Sequence, residues 1–240
     1  MNYSFKPSLR SVLLLVLVFP LLLGLGRWQL HRADEKTALM ALREARMREP
    51  PIQLVASTPD SIEDLRYRSV VVEGEYDVAH QFLIDNQMLG QQVGYHVLTP
   101  FRLAGSGQSV LVNRGWVPWG SARNVLPDIS QAPKGKISIA GVLDRLHRVG
   151  FRLQGAEIPA AGWPSVVQLP EPNPLSRRLG YSLLSYQVLL SPQVEGGYAR
   201  DWHASKLDPD KNRGYALQWF LFAAIALMLF FWRGLHRQPR

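Results

Sequence analysis

Apolar residues gather in two long runs near the ends of this 240-residue chain and in short β-like stretches between them. The first run, residues 11–26 (SVLLLVLVFPLLLGLG), carries no charge. Extended through Trp28 and Leu30 it reaches about 20 residues, the length a helix needs to cross a bilayer core. Pro20 falls inside it, which a membrane helix tolerates. The second run, residues 214–232 (GYALQWFLFAAIALMLFFW), is also uncharged. Tyr215 and Trp219 stand at one end and Trp232 at the other, as in an interfacial aromatic belt. The pattern predicts transmembrane helices over 11–30 and 214–232, short tails at 1–10 and 233–240, and one domain over 31–213. A cleaved signal peptide is the rival reading of the first run, but no A-x-A-like site follows GLGRWQLHR.

Within the middle segment, residues 31–48 (HRADEKTALMALREARMR) hold no Gly or Pro and favour helix. This helix is expected to continue straight out of the first span and to end at Pro50 and Pro51. Strands are predicted over 67–76, 80–85, 94–103, 108–116, 136–145, 165–169 and 185–190, with Gly and Pro punctuation between them. A single short helix over 174–180 would stop at Gly180. The expected fold is a membrane protein: two transmembrane α-helices flank a mainly antiparallel β domain, sandwich or barrel-like, with a helical N-terminal extension.

Charge settles orientation more than chemistry. Of the net +8, three charges lie in residues 1–30 and three in 215–240, which leaves two for the middle. A basic excess confined to the tails speaks for both ends inside the cell, N-in and C-in, and against a nucleic-acid partner. The chain lacks cysteine, which excludes disulfides, thiolate nucleophiles, Cys-bound zinc, iron–sulfur clusters and covalent CxxCH haem attachment.

No catalytic signature is present: GxSxG, HExxH, a P-loop and a strand-following GxGxxG are all missing. The histidines lack metal-ligand spacing. His31 and His203 lie near the two spans, where imidazole could serve a haem at the membrane edge. Two arginine clusters stand out. One is Gly26-Arg27-Trp28-Gln29-Leu30-His31-Arg32 with Lys36; the other is Asn113-Arg114-Gly115-Trp116-Val117-Pro118. Arginine beside tryptophan signals either cation–π packing or a clamp for carboxylates on a flat ligand.

With these blocks the chain resembles the surfeit locus protein 1 family over nearly its whole length. The residues concerned are Gly26-x-Trp28-Gln29 with Arg32 and Lys36, Gly74-x-Tyr76, Gly94-Tyr95 with Leu98-Thr99-Pro100-Phe101, the 113–118 block, and Tyr215-Ala216-x-Gln218-Trp219-Phe220. The resemblance implies a non-enzymatic assembly factor of cytochrome c oxidase that handles haem a for insertion into the oxidase's large subunit, beside the haem a synthesis machinery. It marks Trp28, Gln29, Arg32, Arg114, Trp116, Tyr215, Gln218 and Trp219 as haem or partner contacts. The family's proposed axial histidine falls on Asn212 here, and asparagine is not an effective iron ligand. His203 is the nearby substitute. A second reading makes the outer domain a ligand- or protein-binding sensor without an oxidase role; a membrane enzyme with scattered catalytic residues is a third. The absence of an Arg- and Ser-rich transit segment favours a bacterial cytoplasmic membrane, with the domain in the periplasm.

Overall fold

The computed structural model describes residues 3–55, 58, 61–120, 125–146, 154–202 and 207–237. In chain order these form β1 (Tyr3–Phe5), α1 (Leu9–Arg48), β2 (Ile52–Leu54), β3 (Ser69–Tyr76), β4 (Phe82–Leu89), β5 (Gln92–Leu103), β6 (Ser109–Pro118), β7 (Ile137–Arg145), β8 (Ser165–Val167), α2 (Pro172–Leu179), β9 (Leu183–Leu190), α3 (Pro209–Gly234) and β10 (Leu235–Arg237). Two compact units result: residues 1–42 with 204–240, and residues 43–203.

The first unit holds the apolar helices, both long and apolar enough to cross a membrane. The helix expected over 31–48 does continue straight out of the first span. It is the continuation of α1, which runs unbroken through Pro20 to Arg48. α3 starts at Pro209, behind Asp208, whose carboxylate accepts from the Lys211 backbone N–H at 3.1 Å. The tails expected at either end are in part β-structured: β1 and β10 pair antiparallel, with Phe5 opposite Leu235.

The second unit is one eight-stranded sheet in the order β2-β3-β7-β9-β6-β5-β4-β8, closed on itself by an additional β3–β5 pairing. This is the barrel-like alternative of the sequence expectation. Closure depends on Gly74. There β3 leaves β7 and joins the end of β5, with Gly74 opposite Leu103. A Cβ at Gly74 would lie 2.0 Å from the Arg102 carbonyl oxygen, so only glycine lets the strands cross. The pairing is mainly antiparallel, but β2–β3, β4–β8 and β6–β9 are parallel. β2 was not foreseen, β8 is shorter than its predicted stretch, and α2 begins two residues early. Gly180 does end α2, at φ 79°.

β6 is buried on both faces from Ser109 to Val117. One face contributes Val110 and Val112 to the main core, with Val70, Phe101, Ile139, Tyr186 and Val188; Leu111 on the other packs with Phe82, Leu98 and Leu175 of α2. The near-continuous apolar run of this strand reflects that double burial.

Candidate functional site

The two helices of the first unit meet along a seam of small residues. Gly26 and Ala33 on α1 and Ala216 and Ala223 on α3 are buried, each pair one heptad apart. A Cβ on Gly26 would come within 2.5 Å of the Phe220 ring, so glycine sets how closely the helices pack.

Three polar side chains interrupt this seam. Asn212 donates from Nδ2 to Gln29 Oε1 at 2.6 Å, and Lys36 Nζ donates to Asn212 Oδ1 at 2.7 Å and to the Asp208 carbonyl at 3.2 Å. Gln29 and Lys36 lie seven residues apart, flanking Ala33, and so share a helix face. The contact links the end of the first apolar run to the start of the second. Both ends of the Asn212 carboxamide are therefore engaged, and asparagine ligates haem iron poorly. The residues at this position do not fit a haem held axially by residue 212.

The remaining predicted contacts of this unit are not gathered into the clasp. Trp28 and Tyr215 are about half exposed, at 53% and 44%. Arg32 pairs with Glu35 at 2.6 Å, beside a His31–Glu35 contact at 3.3 Å. Gln218 is exposed, and Trp219 packs edge-on to Phe222, 6.0 Å between ring centroids. His203 lies outside the described residues.

In the second unit the predicted contacts Arg114 and Trp116 are deep in the sheet. Arg114 is fully buried. Its Nε donates to the Gly196 carbonyl at 2.7 Å, Nη1 to Gln81 Oε1 at 3.0 Å, and Nη2 to the Gln131 carbonyl. Its cation–π partners are Tyr76 and Tyr198, at 5.5 and 5.1 Å; Trp116, the neighbour in sequence, is not one of them. Trp116 points elsewhere and donates from Nε1 to the Gln87 carbonyl at 2.9 Å. Gly115 (φ +115°) passes under the 198–200 segment, with Ala199 O only 2.7 Å from where a Cβ would stand. The Asn-Arg-Gly-Trp motif thus ties distant loops to the barrel.

Sequence reading missed a second cluster here. The buried Asp77 accepts from His80 Nδ1 at 2.9 Å, Arg102 Nη2 at 2.9 Å and the Tyr181 hydroxyl at 2.8 Å. Burial pushes the Asp77 carboxyl up, but these hydrogen bonds outweigh it and hold it below the usual carboxylate range. Burial together with the Asp77 hydrogen bond drives the Tyr181 hydroxyl well above its ordinary value. His80 is three residues from Asp77, but Arg102 and Tyr181 are distant in sequence, and only the motif-adjacent position of Asp77, after Gly74-x-Tyr76, could have pointed to the cluster. Among the described residues no group of three or more His, Asp or Glu side chains could hold a metal ion.

Comparison with known proteins agrees with the layout. The SURF1 family profile matches residues 16–224. A SURF1-like protein of Monosiga brevicollis is 27% identical over 90% of this chain and 83% of its own length. The cytochrome oxidase assembly protein SHY1 of Saccharomyces cerevisiae is 36% identical over 43% of this chain, and surfeit locus protein 1 of Mus musculus 32% identical over 50%. The matched stretches span 26% of the yeast protein and 43% of the mouse protein. With its profile match running from the first apolar helix through the barrel into the second, this chain belongs to the SURF1 family.

Proposed function

We propose that this chain is a membrane-anchored assembly factor of cytochrome c oxidase, and not an enzyme. The observation that carries this reading is family membership across both helices and the barrel, together with the assembly role in the name of the yeast relative. The finer reading is that it assists haem a insertion into the oxidase's large subunit, in company with the haem a synthesis machinery. The lipid bilayer is its immediate surroundings. The basic tails support an N-in, C-in topology in a bacterial inner membrane, with the barrel in the periplasm.

Haem a enters this reading as cargo. The engaged Asn212 carboxamide supports assistance without iron ligation at position 212. What these residues do is mechanical: Gln29, Asn212 and Lys36 fix the two helices against each other where they leave the apolar zone. Helix faces carrying Trp28, Tyr215 and Gln218 remain available to a partner.

Deletion of the gene tests the assembly role. Loss of assembled oxidase, restored by the chain, is expected; normal oxidase in the deletion strain overturns it. Co-expression with the haem a synthesis enzymes tests the cargo reading, through the absorption spectrum of the detergent-purified chain. A colourless protein at good yield is the expected result. A reduced haem a band that disappears in His203→Ala would instead make His203 the ligand.

A further inference from the structure

A cavity of about 250 Å³ opens on the barrel between the turn joining β3 to β4, the 127–130 loop and the segment leading into β8. Its walls are fixed to one another. Gln81 Nε2 donates to the Val78 carbonyl at 3.1 Å and to the Ile129 carbonyl at 3.2 Å, and the Gln81 carbonyl accepts from the Ser165 N–H at 2.9 Å. The Gln81 side-chain oxygen accepts in turn from Thr99 at 2.8 Å and from the buried Arg114 at 3.0 Å, and Arg114 also donates to the Gln131 carbonyl. Through these bonds Arg114 of the 113–118 block holds two of the three walls in place. Rings brace the third: Trp163 meets His80 and Phe82 edge-on at 4.8 and 5.2 Å, and Arg178 lies 5.0 Å from its centre. A cavity braced in this way is pre-formed, which lowers the ordering cost of filling it.

Size and lining narrow the occupant. Sites for drug-sized ligands run from about 300 Å³ upward, so this cavity suits a single side chain. Trp163, Pro164, Pro127 and Val78 offer apolar walls to its stem. Among the described residues that line the cavity, Asp128 alone is charged. Its Oδ1 accepts from the Ser130 backbone N–H at 2.9 Å, a bond that holds the carboxyl below the usual carboxylate range. Asp128 is therefore ionised at neutral pH, and no cation pairs with it among the described residues. An unpaired carboxylate beside an apolar cavity complements an aliphatic stem with a cationic head, which is lysine or arginine. The rim speaks for a protein as carrier. Val78 is 38% exposed and Ala79 beside it is exposed as well, apolar surface that a docking protein covers and a free amine leaves wet.

We propose that this cavity docks one lysine or arginine side chain of a partner protein, its stem against Trp163, Pro127 and Pro164 and its cationic head on Asp128. The proposal deepens the assembly-factor reading and rests on it for the existence of a client; the contact itself is built by the barrel alone.

Fluorine NMR of the full chain, labelled with 5-fluorotryptophan in a non-ionic detergent, tests it. The chain has seven tryptophans, and Trp163→Phe identifies the signal at the cavity by its loss. The probes are the peptide acetyl-Gly-Lys-Gly-amide, its norleucine counterpart and n-butylammonium. A saturable shift of the Trp163 signal by the lysine peptide is expected, with about fivefold weaker binding of the norleucine peptide. High salt should erase that preference, and so should Asp128→Asn, at an exposed position; Asp64→Asn, at another exposed acid of the same unit, should leave it intact. No saturable shift, equal binding of the norleucine peptide, or a preference that survives Asp128→Asn overturns the proposal. Binding of n-butylammonium as tight as that of the lysine peptide overturns the protein carrier. Peptide binding is read without any oxidase, so the two readings fail separately: normal oxidase in the deletion strain sinks the assembly role, and absent peptide binding beside lost oxidase sinks the cavity alone.

Discussion

Single residues in this protein act mainly by closing gaps that no other side chain could close. Gly74 allows the barrel seam, because its Cβ position is occupied by the Arg102 carbonyl. Gly74→Ala should cost about 3 kcal/mol or prevent folding, read as a loss in the chemical-denaturation midpoint. Arg114 works by hydrogen bonds: it ties the Gln131 and Gly196 carbonyls, far apart in sequence, to β6. Asp77 gives a pH signature. Its folded pKa lies below the unfolded value of about 3.9, so its stabilising contribution is complete above that value and fades as pH falls through the folded pKa. Wild type should therefore lose Tm on acidification into this range, and Asp77→Asn should flatten that slope. Tyr76 supplies the opposite sign. Burial pushes its hydroxyl up to about 12, against the pull of Arg114 and Arg200. Its contribution is present below about pH 10 and is lost as pH rises toward 12, a loss that Tyr76→Phe should remove, as read by alkaline unfolding.

At the scale of elements, the telling feature is the seam between α1 and α3. Small residues bring the helices close, and the Gln29–Asn212–Lys36 clasp fixes their register, as a polar seam residue does in coiled coils. A double-mutant cycle on Gln29→Ala and Asn212→Ala should show a coupling energy of about 0.5–1.5 kcal/mol in the stability of the detergent-solubilised chain. Additive effects would mean that the clasp is incidental. The chain lacks cysteine, so Gly26→Cys with Phe220→Cys introduces the only thiols. Oxidation should join them within one chain, visible as a mobility shift that reductant reverses. Much of this level was legible in advance. The helices followed from apolar length, the strands of the barrel from β-branched stretches, and the α2 stop from Gly180. Register and partner choice were not, because the parallel pairs β4–β8 and β6–β9 join segments whose own sequences carry no mark of each other. The course of α1 was legible too: both stretches read as helix, the second was expected to continue straight out of the first, and the helix runs through Pro20 to Arg48.

For the whole molecule, the sequence by itself determined the plan. Two uncharged runs, basic tails and short β-branched stretches already implied a membrane-associated chain with a mainly antiparallel β middle, sandwich or barrel-like. The ordered motif blocks pointed to the family, which the comparisons bear out. Those properties are local or additive: apolar length, net charge and short motifs survive being read one residue after another. Tertiary structure alone decided what the motif residues do. It set Gln29, Lys36 and Asn212 in one hydrogen-bonded clasp while leaving Trp28, Arg32 and Gln218 outside it. It turned Arg114 away from Trp116 toward Tyr76 and Tyr198. Such meetings depend on long-range closure of the chain. A buried guanidinium looks the same in sequence as an exposed one, and only packing fixes which charges lose their water and need a partner.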